Sequence, residues 1–167
     1  MDRSNSAESM SVVVDEPGCI ACDLTHGRSD LPGGRIFTTN YWVVEHCVGP
    51  FPIGTLILKP IRHILHVAEL TPGEATELGP LLHLVSSCIQ ALTSSNQVFN
   101  CLKSHGRGIP SHIHYVMQPA WADDHVKYGG SGPALQVGQA RALTSPEAKL
   151  VKEFSQRSID WFAQAEK

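Results

Sequence analysis

Two residue pairs in this chain have the types and the spacing to do chemistry. His112 and His114 stand two apart in Ser111-His112-Ile113-His114-Tyr115-Val116-Met117-Gln118-Pro119. Apolar residues are interleaved with them, so a half-buried strand would present both imidazoles on one face. An imidazole pair on a rigid strand suits metal ligation, nucleophilic catalysis or both. Proline has no N–H for a ladder, so the strand is expected to end at Pro119. The second pair is Cys19 and Cys22, a CxxC. The five cysteines, at 19, 22, 47, 88 and 101, are odd in number and widely scattered, which argues against a disulfide framework. A redox CxxC usually follows a strand and opens a helix. This one follows the turn Glu16-Pro17-Gly18, which favours metal.

The elements that must position these pairs are readable in order. Residues 1–16 are small, polar and aperiodic, the pattern of a flexible tail. Asp23 to Gly34 reads as a loop. Arg35–Thr39 and Tyr41–Cys47 are rich in aromatic and β-branched residues and predict a strand hairpin. Thr55–Lys59 is an apolar run, predicting a strand buried on both faces and stopped by Pro60. Leu70-Thr71-Pro72-Gly73-Glu74 is a helix start: Thr71 caps, Pro72 fits the first helical position, and Glu74 closes a capping box. Leu78, Leu81, Leu82, Val85, Ile89 and Leu92 then form one apolar stripe, interrupted by a kink expected at Pro80. His83 lies beside the stripe and reads as a partly buried or surface histidine, not as a ligand.

Gln97–Lys103 predicts a fourth strand, and Ser104–Pro110, with two glycines, a loop leading into the histidine strand. Residues 121–143 read as a long irregular loop. A last helix, within 144–167, starts at Ser145-Pro146-Glu147; its face of Leu150, Val151, Phe154, Trp161 and Phe162 would dock on the core or on a second subunit. Short connections between neighbouring strands favour an antiparallel sheet of about five strands with packed helices, an α+β domain over 17–120.

Composition bounds the function. With 42% hydrophobic residues the chain can bury a core, and its net charge of -3 argues against a general nucleic-acid surface. No apolar run approaches the ~20 residues of a membrane span. The first residues lack a charged-then-apolar leader, so a cytoplasmic protein is the expectation.

Three segments together resemble the histidine triad (HIT) superfamily, over Pro17 to Pro119. They are Ile53-Gly-Thr-Leu-Ile-Leu-Lys-Pro-Ile-Arg-His63, Leu70-Thr-Pro-Gly-Glu-Ala, and His112-Ile-His114-Tyr-Val116-Met-Gln-Pro119. The last is similar to the family's His-φ-His-φ-His-φ-φ signature. Pro119 falls five residues after His114, as a proline often does after the family's middle histidine. His112 is then the first position, and Val116 stands where the third histidine is usual.

The resemblance implies that His114 is a nucleophile toward the α-phosphorus of a nucleotide, such as a dinucleoside polyphosphate or nucleoside phosphoramidate. It would form a covalent nucleotidyl-histidine that water or another acceptor releases. A neutral imidazole is a good nucleophile near pH 7, provided its other ring nitrogen donates to an acceptor. Phosphate charge would be met by the Ser104–Ser111 loop, the Ser111 hydroxyl, and His105 or Arg107. Gln118, on the same strand face as Val116, is the residue expected to stand in for the missing histidine.

Counting back from Gly54 puts Cys47 where relatives hold the ribose hydroxyls, with Glu45 as a replacement acceptor. Zinc-containing members further imply a structural zinc held by Cys19, Cys22, His63 and His112, with His66 the rival to His63. Homodimers are common in the family. Two other readings stay open. One is a zinc-stabilised nucleotide-binding module with little turnover, which Val116 favours. The other is a catalytic zinc on His112, His114 and His63, which the lack of a nearby carboxylate ligand disfavours.

Overall fold

The computed structural model describes residues 15–106 and 109–165, with backbone alone at 105, 106, 109 and 110. The tail expected over 1–16 lies almost wholly outside the described residues, as does Arg107. The elements run α1 (Ile20–Thr25), β1 (Arg35–Thr38), β2 (Trp42–His46), β3 (Leu56–Pro60), α2 (Pro72–Thr93), β4 (Gln97–Gly106), β5 (Ile109–Ala120), α3 (Asp124–Tyr128), α4 (Pro133–Ala142) and α5 (Ala148–Ala165). The five strands form one antiparallel sheet in the order β1-β2-β3-β5-β4. This is the expected α+β architecture. Among the described residues no helix is long and apolar enough to cross a membrane.

Strand alternation divides the sheet into two faces with different tasks. Trp42, Val44, Leu56, Leu58 and Met117 point to one side, where they meet Leu81, Val85 and Ile89 of α2 and Phe154 and Phe162 of α5. Phe37 stacks on Phe162 with ring centroids 4.7 Å apart. The apolar stripe of the last helix therefore covers its own sheet. Thr71 caps α2 with the expected capping box, Glu74 returning a bond to the Thr71 N–H at 2.7 Å. The helix runs unbroken through Pro80, which is exposed, so the carbonyl left without a donor faces water.

Four expectations about local structure need correction. The CxxC does open a helix: Cys19 is the N-cap of α1, whose last three residues reach into the segment read as loop. The β4 and β5 strands take up most of the expected loop, with Gly106 paired to Ile109. β5 also passes through Pro119 to Ala120. Pairing with β3 stops at Leu56–Met117, so beyond Met117 the strand has a neighbour on one side only, where proline is tolerated.

The fourth correction is to residues 121–143, which hold α3 and α4 around a glycine run with positive φ at Gly129, Gly130 and Gly132. These helices escape a periodicity reading because much of what they bury is polar. Gln139 Nε2 donates to Asp124 Oδ2 at 3.1 Å, and Asp124 accepts from the Trp121 N–H at 2.9 Å. Gln136 is buried beside Leu135.

Among the described residues His46 is the one histidine on the core face of the sheet. Its ring meets Phe154 edge-on at 5.9 Å; Nδ1–H donates to the Cys47 carbonyl at 2.9 Å, and Nε2 accepts the Gly54 N–H at 3.2 Å. Gly54 has φ +93°, and a Cβ there would lie 2.6 Å from the Thr93 side chain, so this turn needs glycine. Both ring nitrogens are used in the neutral form, and burial holds the His46 pKa below its ordinary 6.5. The folded chain therefore refuses a proton that the unfolded chain accepts, so this contribution is present above about pH 6.5 and is lost as pH falls below it. Urea unfolding between pH 7 and 5 should show declining stability, and His46→Gln should remove a share of that slope of up to about 1.4 kcal/mol per pH unit. An unchanged slope would contradict the buried neutral imidazole.

Candidate active site and metal centre

The sheet face opposite α2 and α5 carries Val43 and Glu45 of β2, Ile57 and Lys59 of β3, His112, His114 and Val116 of β5, and Lys103 of β4. α1 lies across this face, tied to it by Lys59 Nζ, which donates to the Ala21 carbonyl at 2.8 Å. Lys59 also pairs with the Glu45 carboxylate, and both side chains are about 1% exposed. Burial drives Glu45 up and Lys59 down, each toward its neutral form, against the opposing pull of the partner's charge.

At one end of the face the two sequence pairs converge. One ligand atom from each of Cys19, Cys22, His63 and His112 falls within 4.8 Å of all the others. Cys22 Sγ lies 3.3 Å from His63 Nδ1 and 3.4 Å from His112 Nδ1. Tetrahedral bonds of about 2.3 Å to sulfur and 2.0 Å to nitrogen would separate such atoms by roughly 3.5 Å, so the donor set fits zinc in both kind and spacing.

Supporting contacts set the orientation of each ligand. His112 Nε2–H donates to the Pro60 carbonyl at 3.1 Å, which leaves Nδ1 to face the cluster. The segment after β3 is held by the Ile113 N–H on the Ile64 carbonyl at 3.0 Å, and by Arg62 on the Glu74 carboxylate at 2.8 and 3.0 Å. That anchoring selects His63; His66 is exposed and outside the cluster. Burial pushes the Cys22 thiol up to about 11.

His114, two residues on, lines a different space. Its Nδ1–H donates to the His112 carbonyl at 3.0 Å, which leaves the Nε2 lone pair uncommitted. Burial holds its pKa below the usual histidine value, so the ring is neutral near pH 7. The cavity it lines has a volume of about 260 Å³ and is mostly apolar. Ile20, Ala21 and Leu24 of α1 form one wall, and Ile57, Val116 and Phe51 contribute further apolar surface. Glu45, Cys47, Lys59 and Lys103 supply the polar atoms.

The other residues singled out in the sequence fall unevenly. Glu45 reaches the cavity, but its carboxylate is engaged by Lys59. Ser111 has odd strand parity, so alternation turns it to the face opposite His114, and the phosphate contact expected of it does not follow from this placement. Gln118 shares the His114 face yet is fully buried under α4, where its Nε2 donates to Gln139 Oε1; it does not line the cavity. The side chain of His105 lies outside the described residues. Lys103 was not legible in the chain order: only the β4–β5 register sets it opposite His114. The α1 wall was missed because a six-residue helix leaves little periodic signal.

No family model and no curated protein matches this sequence. Solved structures do share its fold. A HIT-like protein involved in cell-cycle regulation from Bartonella henselae superposes with a TM-score of 0.64 at 9% identity, over 87% of this chain and 97% of that one. A zinc-bound histidine triad family protein from Mycobacterium smegmatis gives 0.64 at 13%, over 89% and 97%. A diadenosine triphosphate hydrolase from Plasmodium falciparum gives 0.60 at 12%, over 81% and 80%. At such identities the likeness is one of fold.

Proposed function

We propose that this chain, built on the histidine triad fold, transfers or hydrolyses nucleotides through attack by His114 on an α-phosphorus. The observation that carries this reading is the His114 ring itself. It is neutral, fixed by the His112 carbonyl, and aimed with a free Nε2 at an apolar cavity of nucleoside-like dimensions. In the first step the Nε2 lone pair forms an N–P bond while the P–O or P–N bond to the leaving group breaks, that group keeping the electron pair. In the second, water attacks phosphorus, the N–P bond breaks back to neutral imidazole, and the water's proton passes to solvent. Splitting the displacement replaces weak water by imidazole in the first attack. The fold it shares with a diadenosine triphosphate hydrolase supports the reading.

Cys19, Cys22, His63 and His112 would hold zinc in a closed, structural site. When bound, the ion supplies a cross-link between the α1 wall and β5, and needs no open coordination position. Because His112 belongs to that cluster and donates to Pro60, it holds β5 in place, while His114 is left for substrate. Dimerisation stays with the reading as an expectation of the resemblance.

A brief incubation with diadenosine triphosphate or adenosine 5′-phosphoramidate, followed by intact-mass measurement, tests the nucleophile. The wild type is expected to gain one adenylyl group, and His114→Ala none, with turnover lowered by at least about 10³-fold. An adduct that survives His114→Ala would remove His114 from the role. A second reading has its own observation: Val116, 4% exposed, offers nothing to a phosphate or a leaving group. Tight nucleotide binding with neither adduct nor product would favour that binding module.

A further inference from the structure

Lys103 and His114 are directly paired residues of β4 and β5, so their side chains project from the same face as immediate cross-strand neighbours. Both line the cavity and both are half-buried. The cavity's other ammonium, Lys59, is already committed to Glu45 and to the Ala21 carbonyl. Among the described residues Lys103 has no hydrogen-bonding or carboxylate partner. An ammonium held beside a neutral nucleophile in an otherwise apolar cavity is suited to a dianionic or monoanionic phosphoryl group.

The remaining lining residues narrow the chemistry further. Val116 cannot donate a proton. The Cys47 thiol is pushed up to about 12 by burial, and Glu45 is taken by Lys59. His112 is 1% exposed, with one nitrogen on Pro60 and the other in the Cys/His cluster. Among the described residues Lys103 is therefore the charged group lining the cavity that is left free to neutralise a phosphoryl oxygen.

We propose that Lys103 is the phosphate-binding residue of this site, holding the anionic phosphoryl group of a nucleotide beside His114. This rests on the cavity being a nucleotide site. In the anhydride reaction the P–O bond breaks with its electron pair on the departing phosphate oxygen, and Lys103 stays protonated throughout, neutralising charge on the phosphoryl oxygens.

The test uses the full chain and its Lys103→Met and Lys103→Arg variants, with adenosine, AMP, diadenosine triphosphate and adenosine 5′-phosphoramidate as probes. AMP is expected to bind wild type about 10- to 100-fold more tightly than adenosine, the range of one charge-assisted contact. Lys103→Met should erase that preference and Lys103→Arg largely keep it. Lys103→Met should also lower kcat/KM at least about 10-fold for both the triphosphate and the phosphoramidate, since each presents an anionic phosphoryl group. An AMP preference that survives Lys103→Met overturns the assignment. If wild type forms no adduct while its AMP preference still depends on Lys103, the nucleophile reading fails and the phosphate site stands.

Discussion

Cys22→Ser is expected to abolish tight zinc binding and to lower the melting temperature more than any other single change in the cluster. Cys22 is fully buried, and its sulfur lies against both ligand histidines. A serine oxygen there is a poor ligand for zinc, and closed Cys/His sites contribute binding energy directly to folding, about 10–16 kcal/mol in isolated zinc-finger peptides. The loss should be concentrated in α1. Six residues cannot sustain a helix alone. Besides the cluster, α1 is held by the Lys59 bond to Ala21 and by the cavity wall of Ile20, Ala21 and Leu24.

Metal content, thermal unfolding with and without a chelator, and hydrogen exchange over residues 20–25 would check this. Wild type should carry one zinc per chain, lose it to chelator with a drop in melting temperature, and exchange faster in α1. Cys88→Ser, in the core under α5, should leave zinc content unchanged. Zinc that remains stoichiometric in Cys22→Ser would contradict the ligand set.

The second large effect concerns the floor of the cavity. Glu45→Ala is expected to destabilise the fold by about 3–5 kcal/mol, because it leaves the Lys59 ammonium buried with only the Ala21 carbonyl. For a domain of this length that corresponds to a fall in melting temperature of roughly 6–20 °C. Lys59→Met should also destabilise, but the Glu45 carboxyl, already driven up by burial, can take a proton and lessen the cost. The double variant Glu45→Leu with Lys59→Met removes both charges together and is expected to recover most of the Glu45→Ala loss. A double-mutant cycle of Glu45→Leu and Lys59→Met, made singly and together and followed by chemical unfolding, measures the coupling. Simple additivity of the single losses would show that the pair does not act as a unit. The Glu45 Oε2 atom has no hydrogen-bond partner among the described residues, consistent with a pair retained for the shape of the floor more than for stability.

Both predictions depend on residues that differ in how far the linear chain exposes them. The metal set of Cys19, Cys22, His63 and His112 was implied by the family resemblance, whose residues sit at recognisable breaks: a turn before a CxxC, a proline after a buried strand, an alternating strand. The capping box at Thr71 and Glu74 and the hairpin of β1 and β2 were legible for the same local reason. Residues 121–143 were not. Their helices bury glutamine and aspartate against one another and against Gln118, so no apolar period marks them. Glu45 could be placed on a strand face, yet whether it met a ribose or a lysine turned on the β2–β3 register, which pairs it with Ile57 and sets Lys59 one step along the same face.

The resemblance, and not spacing alone, implied the metal set of Cys19, Cys22, His63 and His112 and the separate role of His114. By itself the sequence determined the α+β class, the strands and the main helix. Those are matters of residue type, periodicity and spacing within a few residues. The tertiary structure alone decided which face each strand shares with its neighbours. It set Lys103 beside His114, turned Ser111 away, sealed Gln118 beneath α4, and made α1 a wall of the cavity. Pairing register is a property of two strands at once, and shifting it by one residue would move every one of these side chains to the opposite face.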